Sequence, residues 1–340
     1  MNRLIVFFVF FLGLLLNGSS ADRAFAENND FYKLEMQRLI KEIRVAARER
    51  NPRFGVLGNG GSNLYNPFAY SENSSEYAEN ALALVDGILI ESLNFGYDYE
   101  DDKRTPDEAR GYFLSALKLA KEQGAVLFNI DYCSEMWNKS LGKTLSGQDG
   151  FINFSAKRNL DELPLVKLNE KAVTSLGDCE NFCVLLNPHK FFSKDVYLER
   201  LRKSNYDLLI IDGYYGDNFL EYDDVASLKQ KPNGEPRLVY CYMSVGEAEE
   251  YRWYWDKSYE NSGPEWLAEK NEHWAGNYKV KYWLEPWHAI LYKGDNSYLS
   301  KILNAGFDGV FLDVIDAFAY FETKAFSYDI HNAYAISSYF

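Results

Sequence analysis

Residues 308–313 read DGVFLD, and the same layout recurs at residues 86–91 (DGILIE) and 207–212 (DLLIID). Each segment has an Asp, then four glycine or apolar residues, then a second carboxylate five positions after the first. Continuous apolar runs of this length are typical of parallel strands that are covered on both faces. The recurrence predicts repeated strands of one sheet, each ending on an acid.

Five further segments extend this pattern to a set of eight strands. The predicted strands lie at residues 54–59, 86–92, 125–131, 182–186, 207–212, 238–245, 278–283 and 308–313. Helices are predicted at residues 34–50, 106–121 and 193–202. The second has Thr105 as N-cap and Glu108 completing a capping box, and the third starts at Ser193.

Eight strands with helical crossovers over about 250–300 residues predict an α/β fold, the (β/α)8 TIM barrel. A doubly wound open sheet is the alternative. No G-x-G-x-x-G follows a strand, which weakens that alternative.

The first 26 residues have the pattern of a secretory signal peptide. Arg3 precedes the apolar run at residues 4–16, and Ala24-Phe25-Ala26 has the A-x-A form of a cleavage site. The run is too short to cross a bilayer, and an uncleaved anchor is the less favoured alternative. We therefore expect a secreted or periplasmic protein, cleaved near Ala26, with no membrane span and one barrel domain at residues 27–340.

The composition narrows the classes of partner. The 340 residues carry a net charge of −14, which disfavours binding to a nucleic-acid backbone. The four cysteines do not have zinc-ligand spacing, although Cys179 and Cys183 are close enough in sequence for a local disulfide. The four histidines are also scattered, so we expect neither a metal nor a cofactor.

The acids at the strand ends are predicted to meet. Side chains alternate along a strand, so Glu91, Asp212 and Asp313 each fall on the same face as the alternate apolar residues before them. Asp131 closes another strand, and Glu247 follows a further one in the same alternation. The carboxyl ends of barrel strands are where TIM barrels carry their chemistry, so these acids predict a site at one mouth.

Crowded carboxylates push one another's pKa values apart, so one holds a proton while another is ionised. Glycosidic cleavage needs that pairing, since one acid protonates the leaving oxygen and one carboxylate attacks the sugar or activates water. Most of the tryptophan falls in loops around the sixth and seventh predicted strands, where such rings are suited to stack on sugar faces.

Three long segments carry a resemblance to a known family. They read YMSVGEAEEYRWYW at residues 242–255, WAGNYKVKYWLEPW at 274–287 and GFDGVFLDVIDAF at 306–318. Together they resemble the secreted endo-α-galactosaminidase-like glycoside hydrolases of family 114. The resemblance implies a TIM barrel that hydrolyses α-linked galactosamine polymers.

The chain order differs from that of the fungal-type members. The segments LGNGG, DGILIESLNFGY and LFNIDYC, within residues 57–133, resemble what those members place after the GFDG strand. Here they come first, so the resemblance implies a circularly permuted barrel. A closed barrel tolerates such a rearrangement because its ends meet.

The resemblance also implies roles for individual residues. Asp313 corresponds to the catalytic Asp, as nucleophile or base, and Glu91 to the catalytic Glu, as proton donor. Asp212, Glu247, Asp131 and Asp316 are predicted to bind the amino sugar or tune the pair, and Asn59 to form hydrogen bonds at the rim. The aromatic-rich loops add Tyr251, Trp253 and Trp283 as predicted substrate-binding residues.

The resulting hypothesis is an endo-acting glycoside hydrolase that works as a monomer on a polysaccharide or oligosaccharide. A barrel that binds carbohydrate without cleaving it is the alternative, suggested by the aromatic-rich loops. Metal-assisted deacetylation is a weaker third hypothesis, since the histidines are scattered.

Overall fold

Eight parallel strands form one curved sheet at the centre of the computed structural model, which describes residues 20–66, 69, 84–272 and 274–324, with side chains from residue 30 onward. The strands are β1 Gly55–Asn59, β2 Gly87–Glu91, β3 Val126–Tyr132, β4 Phe151–Ala156, β5 Phe182–Leu185, β6 Leu208–Ile211, β7 Leu238–Ser244 and β8 Gly309–Asp313. Nearly all of their residues are buried, as the apolar runs require.

The strands follow the order β4-β3-β2-β1-β8-β7-β6-β5, with every neighbouring pair parallel. The last strand pairs with the first, so chain order runs around a ring. Only β4 and β5, at the two ends of this order, lack a hydrogen-bonded ladder to each other. The predicted (β/α)8 TIM barrel is confirmed in a nearly closed form, and the doubly wound sheet is excluded.

Helices surround the sheet. Those in the described residues are α1 Ser20–Arg50, α2 Asp107–Glu122, α3 Met136–Asp149, α4 Lys194–Arg202, α5 Tyr222–Ala226, α6 Glu285–Leu291 and α7 Tyr298–Asn304. A side sheet of three antiparallel strands, Glu247–Glu249, Leu267–Lys270 and Asn277–Val280, follows β7. A short hairpin of Tyr214–Tyr215 and Asn218–Phe219 follows β6.

One predicted barrel strand is wrong, and one barrel strand was missed. Residues 278–283 (YKVKYW) overlap the central strand of the side sheet, where alternating polar and apolar residues suit an antiparallel strand. The missed strand is β4, which reads FINFSA and interrupts its apolar residues with Asn153 and Ser155. The continuous-run criterion therefore overlooked β4, and residues 278–283 were assigned to the barrel without meeting that criterion.

The helix predictions differ mainly at the N-terminal ends. Helix α1 ends at Arg50 as predicted but begins at Ser20, so it includes Ala24-Phe25-Ala26. Residues 1–19 of the predicted signal peptide lie outside the described residues. Ser193 caps α4 by accepting a bond from Val196 N. Thr105 does not cap α2, because its hydroxyl donates to Ser92 O at 2.6 Å.

Two glycines make room for a tyrosine inside the barrel. A Cβ on Gly55 would lie 1.7 Å from the hydroxyl oxygen of Tyr240, and a Cβ on Gly309 would lie 2.4 Å from Cζ of the same ring. Gly55 and Gly309 face each other across the β1–β8 ladder. The glycine at the start of DGVFLD is therefore needed for packing at the amino-terminal end of the barrel.

The first Asp of each repeated segment tethers a neighbouring strand at the amino-terminal rim. Asp86 accepts from Val56 N, Asp207 from Glu180 N and Asp308 from Val239 N, at 2.8–3.0 Å. Each carboxylate also pairs with a cation, respectively Arg48, Lys231 and Lys229. In each segment, an Asp with a structural role thus lies at the amino-terminal rim, and the acid five residues later lies at the carboxyl-terminal rim.

The four cysteines are buried free thiols, so no local disulfide joins Cys179 and Cys183. Among the described residues, no helix combines the length and the apolar character that crossing a bilayer would need.

Candidate active site

Three adjacent strands end on a polar residue that is followed by a left-handed turn. The pairs, with the φ of the second residue, are Asn59-Gly60 (75°) on β1, Glu91-Ser92 (59°) on β2 and Asp313-Val314 (59°) on β8. The conformation is costly for a β-branched valine, by about 1–3 kcal/mol. Val314 is held there while its N–H donates to Oδ1 of Asp313 at 2.9 Å. Such strain next to an acid is typical of functional sites.

The amide of Asn59 joins the two predicted catalytic acids. Its Nδ2 donates to Oε1 of Glu91 at 2.8 Å and to Oδ1 of Asp313 at 2.7 Å. Both oxygens are hydrogen-bonded to the same nitrogen, so the distance between the two oxygens cannot exceed the sum of these two distances. The structure thus brings Asn59, Glu91 and Asp313 into one mouth at the carboxyl ends of β1, β2 and β8.

Tyr132 completes the surroundings of Glu91. Its hydroxyl donates to Oε2 of Glu91 at 2.6 Å, so each oxygen of that carboxylate receives one hydrogen bond. The guanidinium carbon of Arg158 lies 4.1 Å from the centre of the Tyr132 ring, a stacking contact. Neither residue was predicted from the sequence.

Asp131, by contrast, lies on the outer face of β3. It is fully buried, and its carboxylate accepts bonds from Asn94 N, Phe95 N, Asn94 Nδ2 and Asn153 Nδ2 at 2.8–3.0 Å. The strand continues one residue beyond Asp131, and neighbouring side chains point to opposite faces. The inward side chain at this strand end is therefore that of Tyr132, and Asp131 holds the following loop.

Burial and then the negative charge of Glu91 raise the pKa of Asp313 to about 7, against hydrogen bonds from Asn59 and Val314 N that favour the carboxylate. Near neutrality Asp313 therefore still holds a proton part of the time, and a proton that can pass between two neighbouring carboxyls is what acid–base chemistry needs.

Asp316 is a third acid at the same mouth. Burial raises the pKa of Asp316 to about 6, with contributions from Glu247 and Glu91, while Lys279 lowers it. The hydrogen-bond acceptor of Lys279 is Glu247, which also accepts from Asn271 Nδ2 at 2.7 Å and Asn277 Nδ2 at 3.0 Å. Glu247 is thus fully engaged within the side sheet, and the charges of both Glu247 and Glu91 act on Asp316.

Asp212 belongs to a second ionic cluster. Its two oxygens accept from Nη1 and Nη2 of Arg252 at 2.9 and 2.8 Å, and Nε of Arg252 donates to Glu249 at 2.7 Å. Tyr251 also donates to Glu249, at 2.6 Å. These paired charges fix the loop after β7 against the end of β6, so Asp212 and Tyr251 are joined through Arg252 rather than to the Glu91–Asp313 pair.

The two predicted tryptophan platforms lie in other packing environments. Trp283 packs among Phe31, Tyr32 and Phe321 with ring centres 4.8–5.9 Å apart. The ring centre of Trp253 lies 4.8 Å from Nζ of Lys301 on α7, a cation–π contact. Neither ring has a hydrogen bond or ring contact to the acids at the mouth within the described residues.

No three His, Cys, Asp or Glu side chains are arranged to hold a metal ion in the part of the chain that the structure describes.

Comparison with known proteins finds a family match in the carboxyl-terminal part of the chain. The model of glycoside-hydrolase family GH114 matches residues 197–338, which include β6, β7 and β8 and therefore Asp313. The match does not extend to Asn59 or Glu91, which lie on β1 and β2.

The chain also matches three uncharacterized proteins. It is 33% identical to one from Methanocaldococcus jannaschii over 47% of this chain and 44% of that protein. It is 45% identical to one from Thermotoga maritima over 24% of each, and 31% identical to one from Deinococcus radiodurans over 36% of this chain and 37% of that protein. The chain thus spans less than half the length of the curated relatives it matches.

Proposed function

We propose that this protein is a secreted glycoside hydrolase that cleaves an amino-sugar polysaccharide within its chain, in the manner of an endo-α-galactosaminidase. The observation that carries the proposal is the amide of Asn59 bonded to both Glu91 and Asp313 at the mouth of the barrel. The GH114 match and the sequence resemblance to a permuted member of that family support it.

The separation of the acids favours retention of stereochemistry. Retaining enzymes hold their carboxyl groups about 5–5.5 Å apart, and inverting enzymes about 6.5–9.5 Å apart. The nearest oxygens of Glu91 and Asp313 are within 2.8 and 2.7 Å of one nitrogen, which fits the shorter class. Asp313 then attacks the anomeric carbon while Glu91 gives its proton to the departing oxygen. Glu91 next removes a proton from the water that cleaves the glycosyl ester.

The acidic mouth suits a cationic sugar. In the free protein the raised pKa of Asp313 places the shared proton on that residue, whereas attack needs the proton on Glu91. A protonated amino group of the substrate beside Asp313 and Asp316 favours their anions and so moves the proton to Glu91. Binding of an amino sugar would thereby prepare the pair for reaction.

The direct test is an assay of purified protein on α-linked galactosaminan and on neutral and acidic polysaccharides, with products separated by length. Internal cleavage of galactosaminan, giving oligomers of several lengths, is the expected result. Binding of the polymer without release of any product would favour the alternative, a barrel that only binds carbohydrate.

We expect kcat/KM on galactosaminan to fall as pH rises above about 7. Asp313 has a pKa raised to about 7, so the shared proton is present below that pH and is lost above it. The measurement is a pH–rate profile, supported by titration of the Asp313 carboxyl carbon by NMR. In the Glu91→Gln variant the neighbouring charge is gone, so the Asp313 pKa should decrease. A kcat/KM that keeps rising between pH 7 and 9 would contradict the shared-proton mechanism.

A further inference from the structure

An exposed tyrosine lies in the loop between β2 and α2. Tyr99 is 53% exposed, and both Tyr99 and the preceding Asp98 have left-handed backbone conformations, with φ of 58° and 57°. Left-handed residues other than glycine are uncommon, and two in succession are strained. Such strain persists only where the surrounding structure enforces it.

Three anchors enforce the conformation of this loop. At its start, Asp131 accepts from Asn94 N and Phe95 N. In its middle, Nη2 of Arg158 donates to Gly96 O at 2.9 Å. At its end, Asp102 accepts from Ser134 N, Ser134 Oγ and Glu135 N at 2.7–3.1 Å, which fastens the loop to the start of α3. The position of Tyr99 is therefore set before any ligand arrives.

Arg158 connects Tyr99 to the catalytic pair. Its guanidinium carbon lies 5.4 Å from the ring centre of Tyr99 and 4.1 Å from that of Tyr132, whose hydroxyl donates to Glu91. Desolvation, and then the charges of Glu91 and Asp316, raise the pKa of Tyr99. The exposed ring thus lies beside the mouth that holds the acids.

We propose that Tyr99 is the aromatic platform on which a pyranose ring of the substrate stacks, in the subsite next to Glu91 and Asp313. This inference rests on the proposed function and adds the residue that recognises the sugar face. A tyrosine offers a large apolar surface at low entropic cost, and a ring fixed in advance loses little freedom on binding. The guanidinium of Arg158 lies beside both the Tyr99 and the Tyr132 ring.

The test measures binding apart from catalysis. The Asp313→Asn variant serves as the background, and the probe is a hexamer of α-linked galactosamine titrated by calorimetry. Added to this background, Tyr99→Ala should weaken binding about tenfold, whereas Tyr99→Phe should stay within about twofold because the ring is kept. Trp137→Ala is the matched control: Trp137 is 77% exposed on α3, has no assigned role, and its loss should leave the affinity unchanged.

The outcomes separate this inference from the proposed function. Equal affinity of the background and of its Tyr99→Ala derivative would overturn the platform and leave the hydrolase proposal standing. If the background binds no glycan and the wild type cleaves none, the proposed function is wrong and the platform with it. Tyr99→Leu, which keeps apolar bulk without an aromatic face, should bind as weakly as Tyr99→Ala and replaces it if the alanine variant does not fold.

Discussion

Replacing Asp313 by Asn is expected to lower kcat on galactosaminan by about a thousandfold or more, because the amide has neither the charge to attack the sugar nor a proton to exchange with Glu91. The shape of the side chain is nearly conserved, and Asn59 and Val314 N still find an oxygen acceptor. Since the native protein raises the pKa of Asp313, the carboxylate opposes folding above about pH 7. The variant should therefore be at least as stable as the wild type at pH 8.

Glu91→Gln should cause a comparable loss on the polymer but a different pattern among substrates. A proton donor matters least when the departing group leaves easily, so an activated aryl galactosaminide should recover much of the lost kcat/KM, which reports the first step. The kcat should stay low, because Glu91 is also the base that activates water in the second step. The Asp313→Asn variant should recover nothing on the same substrate, since the nucleophile is missing. Rates on polymer and aryl substrate for both variants are the measurement.

The control for both variants is Asp308→Asn, which removes a carboxylate from the same strand at the opposite rim and should leave kcat nearly unchanged. Recovery of Asp313→Asn, and not of Glu91→Gln, on the aryl substrate would exchange the two roles. Wild-type activity in both variants would remove the pair from the mechanism.

Asp207→Asn is expected to lower the free energy of unfolding by about 3–5 kcal/mol, because it leaves a buried lysine without its counter-ion. Asp207 and Lys231 are both fully buried, with Nζ 3.0 Å from Oδ1. The Lys231 ammonium also donates to Asn169 O and Lys171 O, so its position is fixed on three sides. Urea denaturation measures the loss.

Two further variants test whether burial of the ion pair explains the predicted loss of stability in Asp207→Asn. Asp308 holds the equivalent place in its strand, yet its pair with Lys229 is 25% and 35% exposed, so Asp308→Asn should cost about 1 kcal/mol or less for the ion pair. Adding Lys231→Met to Asp207→Asn removes the unpaired charge and should restore part of the stability. An equal loss of unfolding free energy in Asp207→Asn and Asp308→Asn would contradict this explanation. It would show that the main contribution of both residues is the hydrogen bond that each accepts from a backbone N–H near the neighbouring strand.

These two sets of variants also show what the sequence could and could not reveal. The five-residue spacing in DGILIE, DLLIID and DGVFLD correctly located three parallel strands and placed Glu91 and Asp313 at one mouth. It did not reveal that the first Asp of each segment tethers the adjacent strand, because that bond is made to residues 27 to 69 positions away.

Other parts of the site depend on one-residue details of register or on long-range contacts. Ending β3 at Asp131 selected the wrong face, and the inward residue is Tyr132. The loop that carries Tyr99 has no regular pattern, and its shape follows from contacts with Arg158 and Asp131. Trp253 and Trp283 were chosen for their aromatic surroundings, which here belong to packing between elements. Local sequence therefore predicted strands and acids better than it predicted the residues that orient them.

Because β4 and β5 lack a hydrogen-bonded ladder, we expect the barrel to be most compliant at the seam between them. A ring closed by hydrogen bonds all the way round cannot widen without breaking one of its ladders, whereas a curled sheet with two free edges flexes at the seam. In the order of this sheet, β1 and β8 are the two central strands and β2 lies next to β1. Because the seam is on the side of the cylinder away from Asn59, Asp313 and Glu91, we expect a bulky polymer to distort the wall there while the spacing of the reacting groups is preserved.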